Sequence, residues 1–195
     1  MARRLERRPG GRKGLPPLWL FTDPARVKDP VAAAARLPRG AGIVYRPFGR
    51  TDAVEVGEAL ARVCRQRGLI LLVGADPGLA ARLGADGVHW PQRLARRRGL
   101  NHRLAKRFHI TAAAHDLPAV LAARRAGAEA LFLSPVFASR SASAGRPLGP
   151  MRLAAWARQA GLPVYALGGI TVTRGRRLRL AGVDGMAAVG ALIRT

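Results

Sequence analysis

Residues 82–90 read RLGADGVHW, residues 124–133 read RRAGAEALFL and residues 180–189 read LAGVDGMAAV. Each runs from an arginine-rich helix end through a glycine able to cap it, past an acidic residue, and into a short apolar strand. A second pair, RQRGLILLV at 65–73 and RQAGLPVYAL at 158–167, repeats the helix-end glycine ahead of an apolar run. Such recurrence indicates a fold in which one packing problem is solved many times.

Outward from these echoes the same alternation continues. Strands are expected at 18–22, 42–46, 69–73, 87–90, 109–113, 130–134, 163–167 and 185–189, separated by amphipathic Ala/Leu/Arg-rich segments. Asp23-Pro24, Asp29-Pro30 and Asp76-Pro77 each set a capping carboxylate before a proline suited to a first helical turn. Asp52 and Glu55 have the spacing of a capping box. Eight strands alternating with helices predict an α/β fold, a single compact (β/α)8 TIM barrel over residues 17–195. A doubly wound open sheet would carry a glycine fingerprint after its first strand, whereas that strand ends LFTDPA.

Composition narrows the class further. The chain has 195 residues, 49% of them hydrophobic, enough for one large core or two small ones and too apolar for a mainly disordered protein. No run approaches the roughly 20 apolar residues that cross a bilayer, and no apolar signal core follows the basic N-terminus. Cys64 is the sole cysteine, so no internal disulfide is expected and the reducing cytoplasm is the expected compartment. The net charge of +23 invites a nucleic-acid reading, yet only Lys13, Lys28 and Lys106 among 34 basic residues are lysines, a bias of composition as much as of function. Residues 1–16, which include MARRLERRPGGRKG, form a short basic N-terminal arm, expected to be a disordered solvated tail or, alternatively, an anion- or nucleic-acid-binding arm.

In a barrel of this kind ligands sit at the C-terminal ends of the strands, with phosphate commonly held after strands 7 and 8. Gly168 and Gly169 follow strand 7, and Val189-Gly190 end strand 8, so these are the candidate phosphate-binding residues. The loop PVFASRSASAGRPLG at 135–149 is a candidate lid, with Arg140 and Arg146 to clamp a polyanion, the plainer alternative being a disordered solvent loop. Arg46 ends strand 2, where its head is expected to reach the barrel mouth, the plainer alternative being a solvated strand-end arginine. His89 and His115, near the ends of strands 4 and 5, are candidate acids, bases or hydrogen-bond donors, the plainer alternative being satisfied structural histidines. The four histidines and Cys64 show no metal-ligand spacing.

The segments LGADGVHWPQ, AGAEALFLSPVF, PLGP, PVYALGGIT and AGVDGMAAVGALI, in this order, resemble the thiamine phosphate synthase and thiazole tautomerase (TenI-like) family over about residues 17–195. The resemblance implies a (β/α)8 barrel of thiamine biosynthesis that joins hydroxymethylpyrimidine diphosphate to a thiazole phosphate, releasing diphosphate with the help of Mg2+. It implies that backbone at Gly168, Gly169, Val189 and Gly190 binds the thiazole phosphate. Arg46 keeps the arginine of the family's Gln-Leu-Arg-x-Lys, with Phe48 at the lysine position, and Gln92 keeps the glutamine of Gly-Gln-x-Asp, with Leu94 at the aspartate. Catalytic roles are thereby expected of Arg46, His115 and Arg140, and further substrate contacts of His89, Gln92 and Arg146. The family's Asn-Asp aligns with Gly74-Ala75, which leaves the adjacent Asp76 as the candidate metal ligand, with Asp23 at the end of strand 1 as the alternative.

The implied partners are small phosphorylated thiazole and pyrimidine substrates, with no membrane, and a homo-oligomer is compatible with the sequence. A tautomerase would need only proton transfers. The family's histidine after strand 6 is replaced by Pro135, so His115 and His89 are the proton carriers left. A catalytically silent barrel that binds polyanions or nucleic acid through the arm is the third reading.

Overall fold

A computed structural model describes residues 14–95, 102–139, 145–178 and 181–189. The basic arm, and with it the nucleic-acid reading, lies outside these residues from 1 to 13, as do Arg140 and Gly190. The described elements are β1 (Leu18–Phe21), α1 (Pro30–Arg36), β2 (Gly42–Tyr45), α2 (Ala53–Arg67), β3 (Ile70–Gly74), α3 (Pro77–Leu83), β4 (Gly87–Trp90), β5 (His109–Ala114), α4 (Leu117–Arg125), β6 (Ala130–Leu133), α5 (Gly149–Ala160), β7 (Val164–Leu167), α6 (Val172–Arg176) and β8 (Gly185–Ala188). Each strand pairs in parallel with the next, and β8 returns to β1 to close an eight-stranded barrel. Among the described residues no helix is long and apolar enough to cross a membrane.

The capping signals fix most helix ends. Asp29 accepts from the Val31 and Ala32 N–H groups at 2.9 Å, and Asp76 from that of Leu79 at 2.8 Å, each ahead of a proline. Asp116 caps α4 in the same way through Ala119. Two expectations are corrected. Asp23 closes a turn through the Ala25 N–H at 3.0 Å and starts no helix. Asp52 makes no side-chain cap on α2, because the Arg50 guanidinium binds its carboxylate, with Nε donating to Oδ1 at 2.7 Å. A charge-assisted pair outcompetes a single backbone N–H for the same oxygens.

The acidic residue of the three echoes has a structural cause. Asp86 Oδ2 accepts from the Leu71 N–H at 2.8 Å, and Asp184 Oδ2 from the Val164 N–H at 2.9 Å. The chain therefore enters β4 and β8 by satisfying the backbone of the strand before each. Glu129, ahead of β6, instead pairs with the buried His109 ring at 3.0 Å.

Trp19 fills the barrel interior, meeting Phe132 and Tyr165 edge-on at centroid distances of 5.5 and 5.9 Å. Gly42 makes this possible, since a Cβ there would lie 2.2 Å from the Trp19 ring. The expected strands run one residue past the observed ends at Thr22, Arg46, Ser134 and Val189. At the mouth the ladder stops and the side chains turn to other partners.

Candidate functional site

Strand periodicity carries Arg46 to the mouth: Val44 faces the interior, and two residues later the chain presents the next inward side chain. Arg46 Nε donates to the Thr22 carbonyl at 2.8 Å, and its backbone N–H donates to Thr22 Oγ1 at 2.8 Å. The guanidinium lies over two aromatic rings, 5.2 Å from the Phe21 centroid and 5.0 Å from that of Phe48. Phe48 is 65% exposed and holds a left-handed φ of +49°, so an apolar ring is kept in the mouth at some backbone strain. The Asp23 carboxylate stands 4.0 Å from Arg46 Nη2. Burial pushes the Arg46 pKa down to about 10, with Asp23 opposing and Arg26 adding to the depression. The group stays cationic at neutral pH, desolvated and with one long carboxylate contact, which favours capture of an anion.

His89 sits deeper, its Nδ1 3.0 Å from Thr111 Oγ1 and its ring edge-on to Phe21 and Phe132. Burial lowers its pKa to about 3, with Arg46 and His115 contributing. It is therefore a neutral hydrogen-bonding ring at neutral pH. Because the unfolded chain titrates near 6.5 and the folded one near 3, acid favours unfolding. The stability linked to His89 is complete above about pH 6.5 and falls as pH drops toward 3, by about 1.4 kcal/mol per unit. Urea denaturation of His89→Gln between pH 7 and pH 5 is expected to show a flatter pH dependence than the wild type; parallel profiles would refute the assignment.

His115 is held by its surroundings. Its Nδ1 is 2.7 Å from the Ser134 carbonyl, which only accepts, so Nδ1 carries the proton and Nε2 is the acceptor in the neutral ring. Gln92 Oε1 accepts from the His115 backbone N–H at 2.7 Å, while its Nε2 donates to Asp116 Oδ2 at 2.9 Å. The Gln92 amide thus clamps the loop after β4 to the one after β5. One of its N–H groups lies outside these bonds.

The two glycines after β7 have left-handed φ values of +91° and +66°. A Cβ on Gly168 would come within 2.7 Å of Pro135 Cα, and one on Gly169 within 2.5 Å of the Ala138 carbonyl oxygen. Both are thus demanded by close approach of the β6 loop as well as by backbone conformation. The ends of the 135–149 loop are pinned together, with the Leu148 and Gly149 N–H groups donating to the Pro135 and Val136 carbonyls at 2.9 Å. Gly168, Gly169 and Val189 line one cavity of about 880 Å3, together with Arg26 and Arg174. Arg146 is exposed and does not line it.

Arg26, Arg174 and Phe48 carry no sequence signal that singles them out as site residues. Arg174 follows the Thr171 cap of α6 by three residues, and the chain's many arginines mask it.

The site does not fit Mg2+. Asp76 spends an oxygen on capping α3, Gly74 and Ala75 bring no side-chain oxygen, and a Cβ on Gly74 would lie 3.0 Å from Arg46 Cγ. Asp23 faces the Arg46 cation, and among the described residues no three His, Cys, Asp or Glu side chains converge. Mg2+ favours several hard oxygen donors, and here the Arg46 stem occupies the space that a side chain at Gly74 would take.

A profile described as thiamine monophosphate synthase matches residues 20–192. The thiamine biosynthesis bifunctional protein ThiED of Geobacter sulfurreducens is 32% identical over 90% of this chain, and the thiamine-phosphate synthase of Synechococcus sp. WH7803 is 31% identical over 90%. This chain spans 36% and 52% of the lengths of those two proteins. The solved thiamine phosphate pyrophosphorylase from Pyrococcus furiosus superposes with a TM-score of 0.75 at 24% identity, covering 89% of this chain and 85% of the other, and so supports the fold.

Proposed function

Since the chain belongs to the thiamine monophosphate synthase family, we propose that it is a thiamine phosphate synthase-like transferase, joining hydroxymethylpyrimidine diphosphate to a thiazole phosphate. The observation that carries this reading is the meeting of Gly168, Gly169 and Val189 on one cavity, with Arg46, which does not line that cavity, held as a partly buried cation at the same C-terminal end of the barrel. In the reaction the pyrimidine methylene carbon loses its bond to the diphosphate oxygen, which leaves with the electron pair. The thiazole nitrogen then supplies the pair for the new C–N bond.

The glycine loops bind the thiazole phosphate by backbone, as the family resemblance implies. Arg46 neutralises the charge that gathers on the departing diphosphate. Phe21 and Phe132, stacked edge-on beneath it, keep water from the pyrimidine cation. The donor set argues against a metal-assisted step, so neutralisation falls to guanidinium groups.

Purified protein incubated with both substrates is expected to yield thiamine phosphate, resolved chromatographically, in the presence of EDTA. Absence of product with and without Mg2+ would sink the transferase reading, and product formed only with Mg2+ would overturn the metal-free assignment. The fixed Nδ1–H tautomer of His115, with its basic Nε2, favours a second reading as a thiazole phosphate tautomerase. An isomerisation assay on thiazole phosphate alone separates the two.

A further inference from the structure

A parallel barrel gathers every strand start at one end, its foot, opposite the mouth where the strands finish. The chain reaches that end through arginines. An exposed arginine stands in the last turn of each of α1 to α6: Arg36, Arg65, Arg82, Arg125, Arg158 and Arg176 in order. Neighbouring helix ends lie within one side chain's reach. Arg67 Nη2 of α2 donates to the Leu37 carbonyl beyond α1 at 2.8 Å, and a Cβ on Gly161, beyond α5, would lie 3.2 Å from Arg124 Nη1 of α4. The basic arm joins the barrel here as well, because the Pro17 carbonyl accepts from the Met186 N–H in β8 at 2.8 Å. In residues 1–13 basic side chains outnumber the single acid, Glu6, six to one.

The acids are placed elsewhere or already engaged. Asp29, Asp76 and Asp116 cap helix starts at the mouth, whereas at the foot Asp86 and Asp184 bond strand backbone and Glu129 pairs with His109. Among the described residues Arg82 is the one arginine of the ring in an ion pair, with Glu58 at 3.8 Å. The helix dipole rewards a cation at each such end. It does not call for the second arginine in the last turns of α2 and α4, nor for the exposed Arg39 and Arg107 in the loops ahead of β2 and β5.

We propose that the foot of the barrel is a nucleic-acid-binding face, where the arginine ring and the arm hold the phosphate backbone without reading sequence, a second function apart from the chemistry at the mouth. A guanidinium offers paired N–H donors to a phosphate, and neutralising several phosphates together releases their condensed counterions. An anionic bilayer is the competing partner for such charge. Among the described residues, however, the exposed large apolar side chains, Phe48, Met151 and Val172, all lie at the mouth end, so the foot presents none to enter a membrane.

The test is fluorescence anisotropy of the full chain with a labelled DNA duplex of about 20 base pairs and mixed sequence, repeated from about 50 to 200 mM NaCl. Affinity is expected to fall about 10³-fold across that range, as for six or more neutralised phosphates. Arg125→Gln/Arg158→Gln is expected to weaken binding about tenfold or more at the lower salt and to reduce the slope of log affinity against log salt by about 2. Arg26→Gln/Arg152→Gln, which removes two exposed charges from the mouth end, is expected to leave both unchanged. The face is overturned by undetectable binding at the lowest salt, by a mouth pair as damaging as the foot pair, or by a loss confined to Arg7→Gln/Arg8→Gln in the arm. Capture by phosphatidylserine vesicles in preference to the duplex would overturn it in favour of a membrane. None of these readouts depends on the transferase reading, which the thiamine phosphate assay tests separately.

Discussion

Replacing Arg46 by alanine is expected to slow the proposed formation of thiamine phosphate by about 10²–10³-fold, the loss typical of removing one preorganised group from developing negative charge. The guanidinium is poised for that role before any ligand arrives. Its Nε is fixed by the Thr22 carbonyl and its head lies over the rings of Phe21 and Phe48. A lysine replacement keeps the charge but lacks the planar fork and the stacking, so Arg46→Lys should recover only a small part of the rate. The effect should fall mainly on kcat, because the charge is neutralised most fully as the diphosphate leaves. Full activity in Arg46→Ala would remove this residue from the reaction. A change confined to KM would restrict it to ground-state binding.

Gly169→Ala is expected to be the most damaging single-methyl change at the mouth. The new Cβ would sit 2.5 Å from the Ala138 carbonyl oxygen and 2.8 Å from that of Phe137, both backbone atoms that cannot swing aside. A left-handed φ adds about 1–2 kcal/mol for any side chain, and overpacking adds about 1–3 kcal/mol. For a domain of this size the sum corresponds to a fall in Tm of roughly 5–15 °C. Thermal denaturation followed by circular dichroism measures it directly. Gly49 is the matched control, because it has a φ of +76° and a methyl group placed there would meet nothing within 4 Å. Gly49→Ala should therefore show the conformational cost alone. Equal losses at the two positions would mean that the β6 loop does not press on the β7 glycines.

Much of the barrel is legible in the sequence because its causes are local and repeated. The helix-end glycines, the acids ahead of β4, β6 and β8 and the Asp-Pro caps are short-range requirements, and a chain that alternates strand and helix meets them many times. Asp86 and Asp184 show why the echo is so regular: both bond the backbone at the foot of the preceding strand. The capping box at Asp52 misleads because the competing partner, Arg50, stands two residues away and is invisible to a spacing rule. At the site, strand ends mark Arg46, His89 and His115 as mouth residues, since position along a strand sets depth in a barrel. Their states are not marked. That His89 is neutral and that His115 carries its proton on Nδ1 depend on Thr111 and Ser134, partners about 20 residues distant in the chain.

The sequence by itself determined the number and order of the strands, the closed α/β architecture and the two glycine loops at one end, because periodicity and turn chemistry are written in neighbouring residues. Only the tertiary structure decided what the glycines after β7 face. Gly168 and Gly169 are crowded by the backbone of 135–138, Asp76 is spent on a helix cap, and Arg26 and Arg174 join the cavity from opposite ends of the chain. Burial, charge pairing and close approach depend on distances between residues far apart in sequence, and barrel closure sets those distances.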